Sequence, residues 1–344
     1  MSIQCAVKET TLVALIPELD ALAGEAMAEW RVPGVAIAVV QNGETVLLKA
    51  YGQRDVDAGL ATTTQTQFTV CSITKTFTAT GLAMLVDEGR LDWTKPVRDY
   101  VPEFRLHDAI ATDRITVRDL LSHHTGLPRH DWIWMPGDLS RVEMLAAMRY
   151  IEPSRDVRTT YQYSNLGYNA ASIVAERISG LSWEDFTRTR MTDRLNMPVT
   201  FAAEELEAAD DAATPYLMHR DQRRRTKIWP IRATAAGAIN TSVAAIANWM
   251  KFLLSEGEFE NKRLLSAALV REMQAPRVHT AAPEFEFGHS HYGLGFGSTI
   301  YRGERVVGHS GGWIGWSTLM RLMPDKKLGV AVFCNSGGAP SPAF

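Results

Sequence analysis

The sequence predicts an α+β fold, an antiparallel β-sheet flanked by helices with an inserted all-helical subdomain. Extended, alternating runs occur at residues 35–52 and again at 292–338, while the chain between them is mostly helical in pattern. A sheet assembled from both ends of the chain, with helices covering it, satisfies both facts. At 344 residues the chain can bury a large core, as one big or two interleaved domains. The expected division is 1–71 and 230–344 for the sheet domain and 72–229 for the helical one. A cleft between them is the natural place for a site.

Residues 12–30 carry helical spacing of apolar side chains and end before Val32-Pro33-Gly34. "VAIAVVQNGETVLLKAYG" (35–52) reads as two strands joined by Asn42-Gly43, a pair suited to the type I′ turn, whose central residues both take positive φ. After a polar loop, an apolar-periodic stretch opens at Ser72 and stops at Gly89, as a helix does at a left-handed C-cap. Ser140 with Glu143, and Ser182 with Asp185, have the spacing of capped helix starts, and "NLGYNAASIVAERISG" closes at Gly180. Helical runs follow at 241–257 and 266–274. From Tyr292 the pattern returns to extended runs separated by turn residues, the sharpest at Asp325-Lys326-Lys327. No internal repeat or low-complexity segment interrupts this plan.

Composition narrows the function classes. A net charge of −3 favours neither nucleic acid nor an anionic membrane as partner. The one basic run, "HRDQRRRTK" (219–227), reads as a solvated loop, or alternatively as a clamp for an anionic substrate at a cleft mouth. No stretch approaches the ~20 apolar residues of a membrane span. Three scattered cysteines, Cys5, Cys71 and Cys334, argue against a disulfide framework. The first twenty residues lack a basic segment followed by an apolar core, so no signal peptide is read and the expected location is the cytoplasm. His123-His124 and His289-Ser290-His291 lack the companion ligands of a zinc site. No helix follows the glycines of "GLGFGS" (293–298), so neither a metal nor a dinucleotide cofactor is expected.

Two serines compete for the role of nucleophile. Gly308-His309-Ser310-Gly311-Gly312 matches G-x-S-x-G, which sits on a strand-to-helix elbow with an acid and a histidine downstream. No histidine follows Ser310, Asp325 is the only later aspartate, and "WIGWSTLMRLMP" (313–324) reads as a strand. The match fails on order and context. Ser72-Ile73-Thr74-Lys75 is the only Ser-x-x-Lys in the chain. That spacing at a helix start puts both side chains on one face, near free N–H groups and the positive end of the helix dipole. A serine hydroxyl attacks once a neighbour takes its proton. The lysine either favours an anionic base nearby or, when desolvated, loses its own proton and serves as the base. The plain alternative is a helix cap followed by a surface lysine.

Tyr163-Ser164-Asn165, the only Tyr-x-Asn, precedes a predicted helix. A tyrosine serves as base if its phenol is pushed well below its usual pKa of about 10, which a neighbouring ammonium promotes. Asn165 offers a donor and an acceptor to hold Lys75 and a substrate carbonyl. The plain alternative is a packed tyrosine with Asn165 as a helix cap. His309-Ser310-Gly311 lies on the predicted strand "ERVVGHSGG" (304–312). Gly311 there lets a substrate backbone approach the strand edge, and the Gly312 N–H can pair with that of Ser72 as an oxyanion hole. His124-Thr125-Gly126 and His291-Tyr292-Gly293 also fit His-x-Gly, but the first follows a helical pattern and the second falls in a loop.

Ser-x-x-Lys, Tyr-Ser-Asn and His-x-Gly, in that order, resemble the penicillin-recognising serine hydrolases. The nearest branch holds class C β-lactamases, serine D,D-carboxypeptidases, D-aminopeptidases and related esterases. The likeness runs from "VPGVAIAVVQNGE" (32–44) through "LLSHHTGLP" (120–128) and "YGLGF" (292–296) to "HSGG" (309–312). It implies a β-lactamase/transpeptidase-like fold with Ser72 as the acylated nucleophile and Lys75 as its proton partner. Tyr163 is then general base or proton shuttle, Asn165 orients, and His309, Ser310, Gly311 and Gly312 form the strand that flanks the substrate. Which of Lys75 and Tyr163 takes the first proton stays open.

Two departures refine the expectation. β-Lactamases of this branch usually carry Lys-Thr-Gly at the third motif, where the ammonium meets the β-lactam carboxylate, whereas His309 is mostly neutral at pH 7. A cell-wall carboxypeptidase needs an export signal, and none is visible. The expected function is acyl-enzyme hydrolysis of a small ester, amide or short peptide, by a carboxylesterase or a D-amino-acid peptidase or amidase. β-Lactamase, D,D-carboxypeptidase, acyltransferase and non-catalytic binding relative are the alternatives. Relatives also continue past the last strand into a helix that packs on the sheet, where this chain ends in "NSGGAPSPAF" (335–344). Truncation, an absent C-terminal domain and a sheet face covered by a second subunit of a homo-oligomer are the open readings. Trp132-Ile133-Trp134 with Met135 reads as core or loop anchor, and secondarily as the lining of an apolar acyl pocket. Cys71 reads as a small buried residue.

Overall fold

Helix α1 (Leu12–Glu29) leads into strands β1 (Gly34–Gln41), β2 (Glu44–Asp55) and β3 (Leu60–Ala61). The structure is a computed structural model that describes residues 12–135, 138–220, 222–280 and 290–337. Cys5, His289 and the end of the chain after Gly337 lie outside the described residues. The C-terminal part supplies β4 (Val278–His279), β5 (His291–Tyr292), β6 (Gly297–Tyr301), β7 (Glu304–Trp313), β8 (Trp316–Met323) and β9 (Leu328–Cys334). Among the described residues these form one antiparallel nine-stranded sheet in the order β4-β5-β6-β7-β8-β9-β1-β2-β3. The two ends of the chain meet where β1 pairs with β9, from Val35 opposite Cys334 to Gln41 opposite Leu328. The fold class expected from the sequence is therefore the observed one, with β5 a short strand, second from the sheet edge, where a loop was expected.

The turn chemistry explains the register. Asn42 and Gly43 both have positive φ, of 51° and 84°, as the hairpin demands. Strand β1 is buried on both faces because its alternation serves two cores. Val35, Ile37 and Val39 pack with Leu47, Val332 and Cys334 beneath Ile16, Leu19 and Met27 of α1. Ala36, Ala38 and Val40 face the main core, which continues without a break into the helices.

Four further helices position the site: α2 (Thr74–Asp87), α3 (Val117–Leu121), α4 (Asn165–Ser179) and α5 (Val243–Leu254). Every residue of α2 from Thr74 to Leu85 is buried, although its sequence is rich in threonine. The hydroxyls are satisfied locally: Thr76 donates to the Ile73 carbonyl, Thr80 to that of Thr76 and Thr78 to that of Ala235. Such bonds let a polar-looking helix sit inside a core without orphaned groups. Phe77 stacks on Trp249 of α5, ring centroids 3.9 Å apart. Gly89 and Gly180 end their helices in the left-handed region, as expected. The basic run is a hairpin rather than a loop, Tyr216–His219 paired with the exposed Gln222–Arg225. Among the described residues no helix is long and apolar enough to cross a membrane.

Candidate active site

Ser72 sits on a single 3₁₀ turn, Cys71–Ile73, that runs straight into α2. The expected helix start at Ser72 is thus displaced to Thr74. Cys71 holds a positive φ of 50°, a conformation that costs a non-glycine residue free energy. Its thiol is buried, donates to the Thr69 carbonyl and is pushed up by burial, so it is no second nucleophile. Lys75, one turn on, is wholly buried. Its Nζ lies 3.0 Å from Ser72 Oγ, 2.8 Å from Asn165 Oδ1 and 2.7 Å from the Ala236 carbonyl oxygen. The phenol of Tyr163 donates to Ser72 Oγ at 2.8 Å. Residues from separate stretches of the chain thus converge on one hydroxyl.

Burial pushes the Lys75 amine well below its ordinary range, and the nearby Arg129 guanidinium lowers it further. Burial pushes the Tyr163 phenol up. A base role for the phenol needs a lowered pKa, whereas here loss of water penalises the phenolate more than the Ser72 hydrogen bond and Arg129 favour it.

Asn165 is the first residue of α4, and Ser164 is its cap, accepting from the Gly167 N–H. The asparagine side chain is therefore free to bridge. Its Oδ1 takes the Lys75 bond and its Nδ2 donates to Asp131 Oδ1 at 3.0 Å. Asp131 also accepts from Trp134 Nε1 at 2.8 Å and from Arg129 Nε. Sequence reasoning missed Arg129 and Asp131. They lie in "LPRHDWIW" (127–134), where nothing local marks them as partners of an asparagine 34 residues on. His123 is structural: its Nδ1 accepts the Ser164 N–H at 3.0 Å, and its ring packs 4.3 Å from that of Tyr163. It seats the loop that delivers the phenol. Among the described residues no three His, Cys, Asp or Glu side chains gather as a metal site.

On β7, His309 Nε2 lies 2.9 Å from the Tyr292 hydroxyl, and Nδ1 lies 2.5 Å from the Ser310 carbonyl oxygen. The carbonyl can only accept, so Nδ1 carries the proton and Nε2 accepts from Tyr292. Burial lowers His309 to about 3, with Lys75 acting in the same direction. Ser310 lines a cavity of about 210 Å³ with Tyr161, Tyr163 and His309, whereas Ser72 opens into a different cleft. The chain after Ser310 is strand β8 and not a helix, which removes the elbow. Gly311 also has a packing role. A Cβ there would meet the Val70 carbonyl, Thr318 Oγ1 and Cys71 Cβ, so the turn carrying Ser72 itself needs the space. Gly312 has no such neighbours and lines the cleft beside Ser72.

That cleft, of about 170 Å³, is walled by Trp134, Met135, Ile231 and Trp313, with Arg129 and Asp131 at one side. The two indoles lie 5.1 Å apart. Of the aromatic cluster, Trp134 and Met135 reach the cleft, while Trp132 is 77% exposed.

Known proteins resemble this chain in sequence and in fold. The Beta-lactamase family model matches residues 19–344. Unguisins hydrolase ungD' of Aspergillus campestris is 30% identical over 327 residues, which cover 91% of this chain and 60% of that protein. The chain thus spans about three fifths of the length of that curated relative. Among solved structures, the octameric penicillin-binding protein homologue from Pyrococcus abyssi superposes with a TM-score of 0.84 at 28% identity, over 95% of this chain and 75% of the other. A D-stereospecific amidohydrolase from Streptomyces sp. gives 0.75 at 25% identity, over 92% and 94%.

Proposed function

This chain belongs to the beta-lactamase family, and from that premise we propose that it is a serine hydrolase cleaving small ester or amide substrates through an acyl-enzyme on Ser72. One observation carries the reading: at the floor of a cleft, Ser72 Oγ meets Lys75 Nζ at 3.0 Å and the Tyr163 hydroxyl at 2.8 Å. A neutral lysine has two N–H donors and one lone pair. Asn165 Oδ1 and the Ala236 carbonyl take the two donors, which leaves the lone pair for the Ser72 proton. Lys75 is then the first base, and Tyr163 stays a protonated phenol.

Attack of Oγ on the carbonyl moves the serine proton to Lys75. The N–H groups of Ser72 and Gly312 receive the oxyanion. As the C–N or C–O bond breaks, Tyr163 gives its proton to the departing amine or alcohol and recovers one from Lys75. Water then attacks the acyl-serine, its proton returns through the same pair, and Ser72 leaves as the free hydroxyl. The acyl group lies against the paired indoles of Trp134 and Trp313, a surface that suits an apolar chain. His309, neutral and fully engaged, offers no cation to a β-lactam carboxylate, which favours esters and amides over β-lactams. The D-stereospecific amidohydrolase among the similar structures supports D-configured amides as one substrate class.

A fluorophosphonate should add its mass to the Ser72 peptide. A panel of short esters, D- and L-aminoacyl amides, D-Ala-D-Ala peptides and nitrocefin ranks the substrates. Faster turnover of nitrocefin than of short esters overturns the preference, and labelling elsewhere overturns the mechanism.

A further inference from the structure

We propose that Arg129 is an anion receptor in the acyl cleft, so that the preferred acyl group ends in a carboxylate. The proposal rests on Ser72 being the nucleophile of that cleft. Arg129 and Asp131 line the cleft together with Ser72. The Asp131 carboxylate is committed, accepting from Asn165 Nδ2, Trp134 Nε1 and Arg129 Nε. A substrate ammonium therefore meets a carboxylate that already accepts three hydrogen bonds and is paired with a guanidinium.

Arg129 is in the opposite condition. Its Nε is bound to Asp131, and among the described residues the guanidinium makes no other hydrogen bond. Its Cζ lies 5.0 Å over the Tyr163 ring, and its side chain is 60% exposed. One contact on Nε and one on the flat face hold the group in place, which reduces the freedom lost when a ligand binds. The two Nη donors remain as a planar fork, the geometry that matches a carboxylate. Among the described residues that line this cleft, Arg129 is the only lysine or arginine. An acyl chain lying on Trp134 and Trp313 and ending in a carboxylate satisfies both the apolar wall and the fork.

The test compares 4-nitrophenyl hydrogen adipate with 4-nitrophenyl hexanoate, which have equal chain length and differ in the terminal carboxylate. Wild-type enzyme should favour the adipate half-ester in kcat/KM, and the preference should shrink with added salt. Arg129→Gln should lower the adipate-to-hexanoate ratio about 10- to 100-fold, the range for hydrogen bonds to a charged group. Arg129→Lys, which keeps the charge and loses the fork, should fall between. Losing Arg129 also releases Asp131 and slows both substrates, so the ratio is the informative quantity. A wild-type preference for hexanoate, or an unchanged ratio in Arg129→Gln, overturns the proposal while leaving Ser72 in place. Undiminished hydrolysis of both esters by Ser72→Ala would instead remove the reading it stands on.

Discussion

A Cβ at Gly311 would lie 2.4 Å from the carbonyl oxygen of Val70, the residue that leads into the turn carrying Ser72. It would also lie 2.8 Å from Cys71 Cβ and 2.4 Å from Thr318 Oγ1, which itself donates to that same carbonyl. Strand and nucleophile turn are thus in van der Waals contact through a glycine. Gly311→Ala should push the turn away, at a cost of about 1–3 kcal/mol for an overpacked site. The loss of activity should exceed what the lost stability explains. Thermal denaturation beside kcat/KM separates the two, and a variant of wild-type activity would show that the contact is dispensable.

The two serines give the sharpest contrast. Ser72→Ala should lower ester hydrolysis by about 10⁴ or more, as loss of a nucleophile does. Ser310→Ala, at a residue that lines the other cavity, should only perturb the rate. The reverse order would restore the strand-to-helix elbow that β8 otherwise denies.

Much of this was legible in the sequence because it is encoded locally. Ser72 and Lys75 share a helical turn, Asn42-Gly43 specifies its own turn, and the apolar periods mark the sheet ends. The direction of the Tyr163 shift was not legible, since it depends on how completely the fold excludes water from the phenol. Nor was the purpose of Gly311, because Val70 lies 241 positions earlier (311 − 70) and only the folded sheet brings them together. Arg129 and Asp131 escaped for the same reason. Their partners Asn165 and Tyr163 come from another loop, and an Arg-x-Asp pair is common on surfaces.

Lys75 and Tyr163 are shifted in opposite directions, which makes the pH profile diagnostic. A general base works in its deprotonated form, so the rate should rise with pH through the Lys75 pKa. Because burial lowers that pKa, the plateau should be reached below the ordinary lysine range of about 10.4. Tyr163→Phe should lower kcat by about 10²–10⁴, typical for a proton-transferring group, while leaving the rising limb in place. A limb that disappears in Tyr163→Phe would assign the base to the phenol.

His309 links the substrate strand to stability. Its folded pKa is lowered to about 3, against about 6.5 for a free histidine. Between these values the unfolded chain binds a proton that the folded protein refuses. The stabilisation is therefore present above pH ~6.5 and is lost as pH falls toward 3, at up to about 1.4 kcal/mol per pH unit. His123, also lowered by burial, acts in the same sense, so the wild-type profile alone does not isolate His309. His309→Gln cannot titrate, and its amide keeps a donor and an acceptor for the Ser310 carbonyl and the Tyr292 hydroxyl. The difference in Tm between wild type and variant should favour wild type at pH 7.5 and narrow steadily toward pH 4.5. A difference independent of pH would mean that water reaches the imidazole, and with it the edge of the strand beside Ser72.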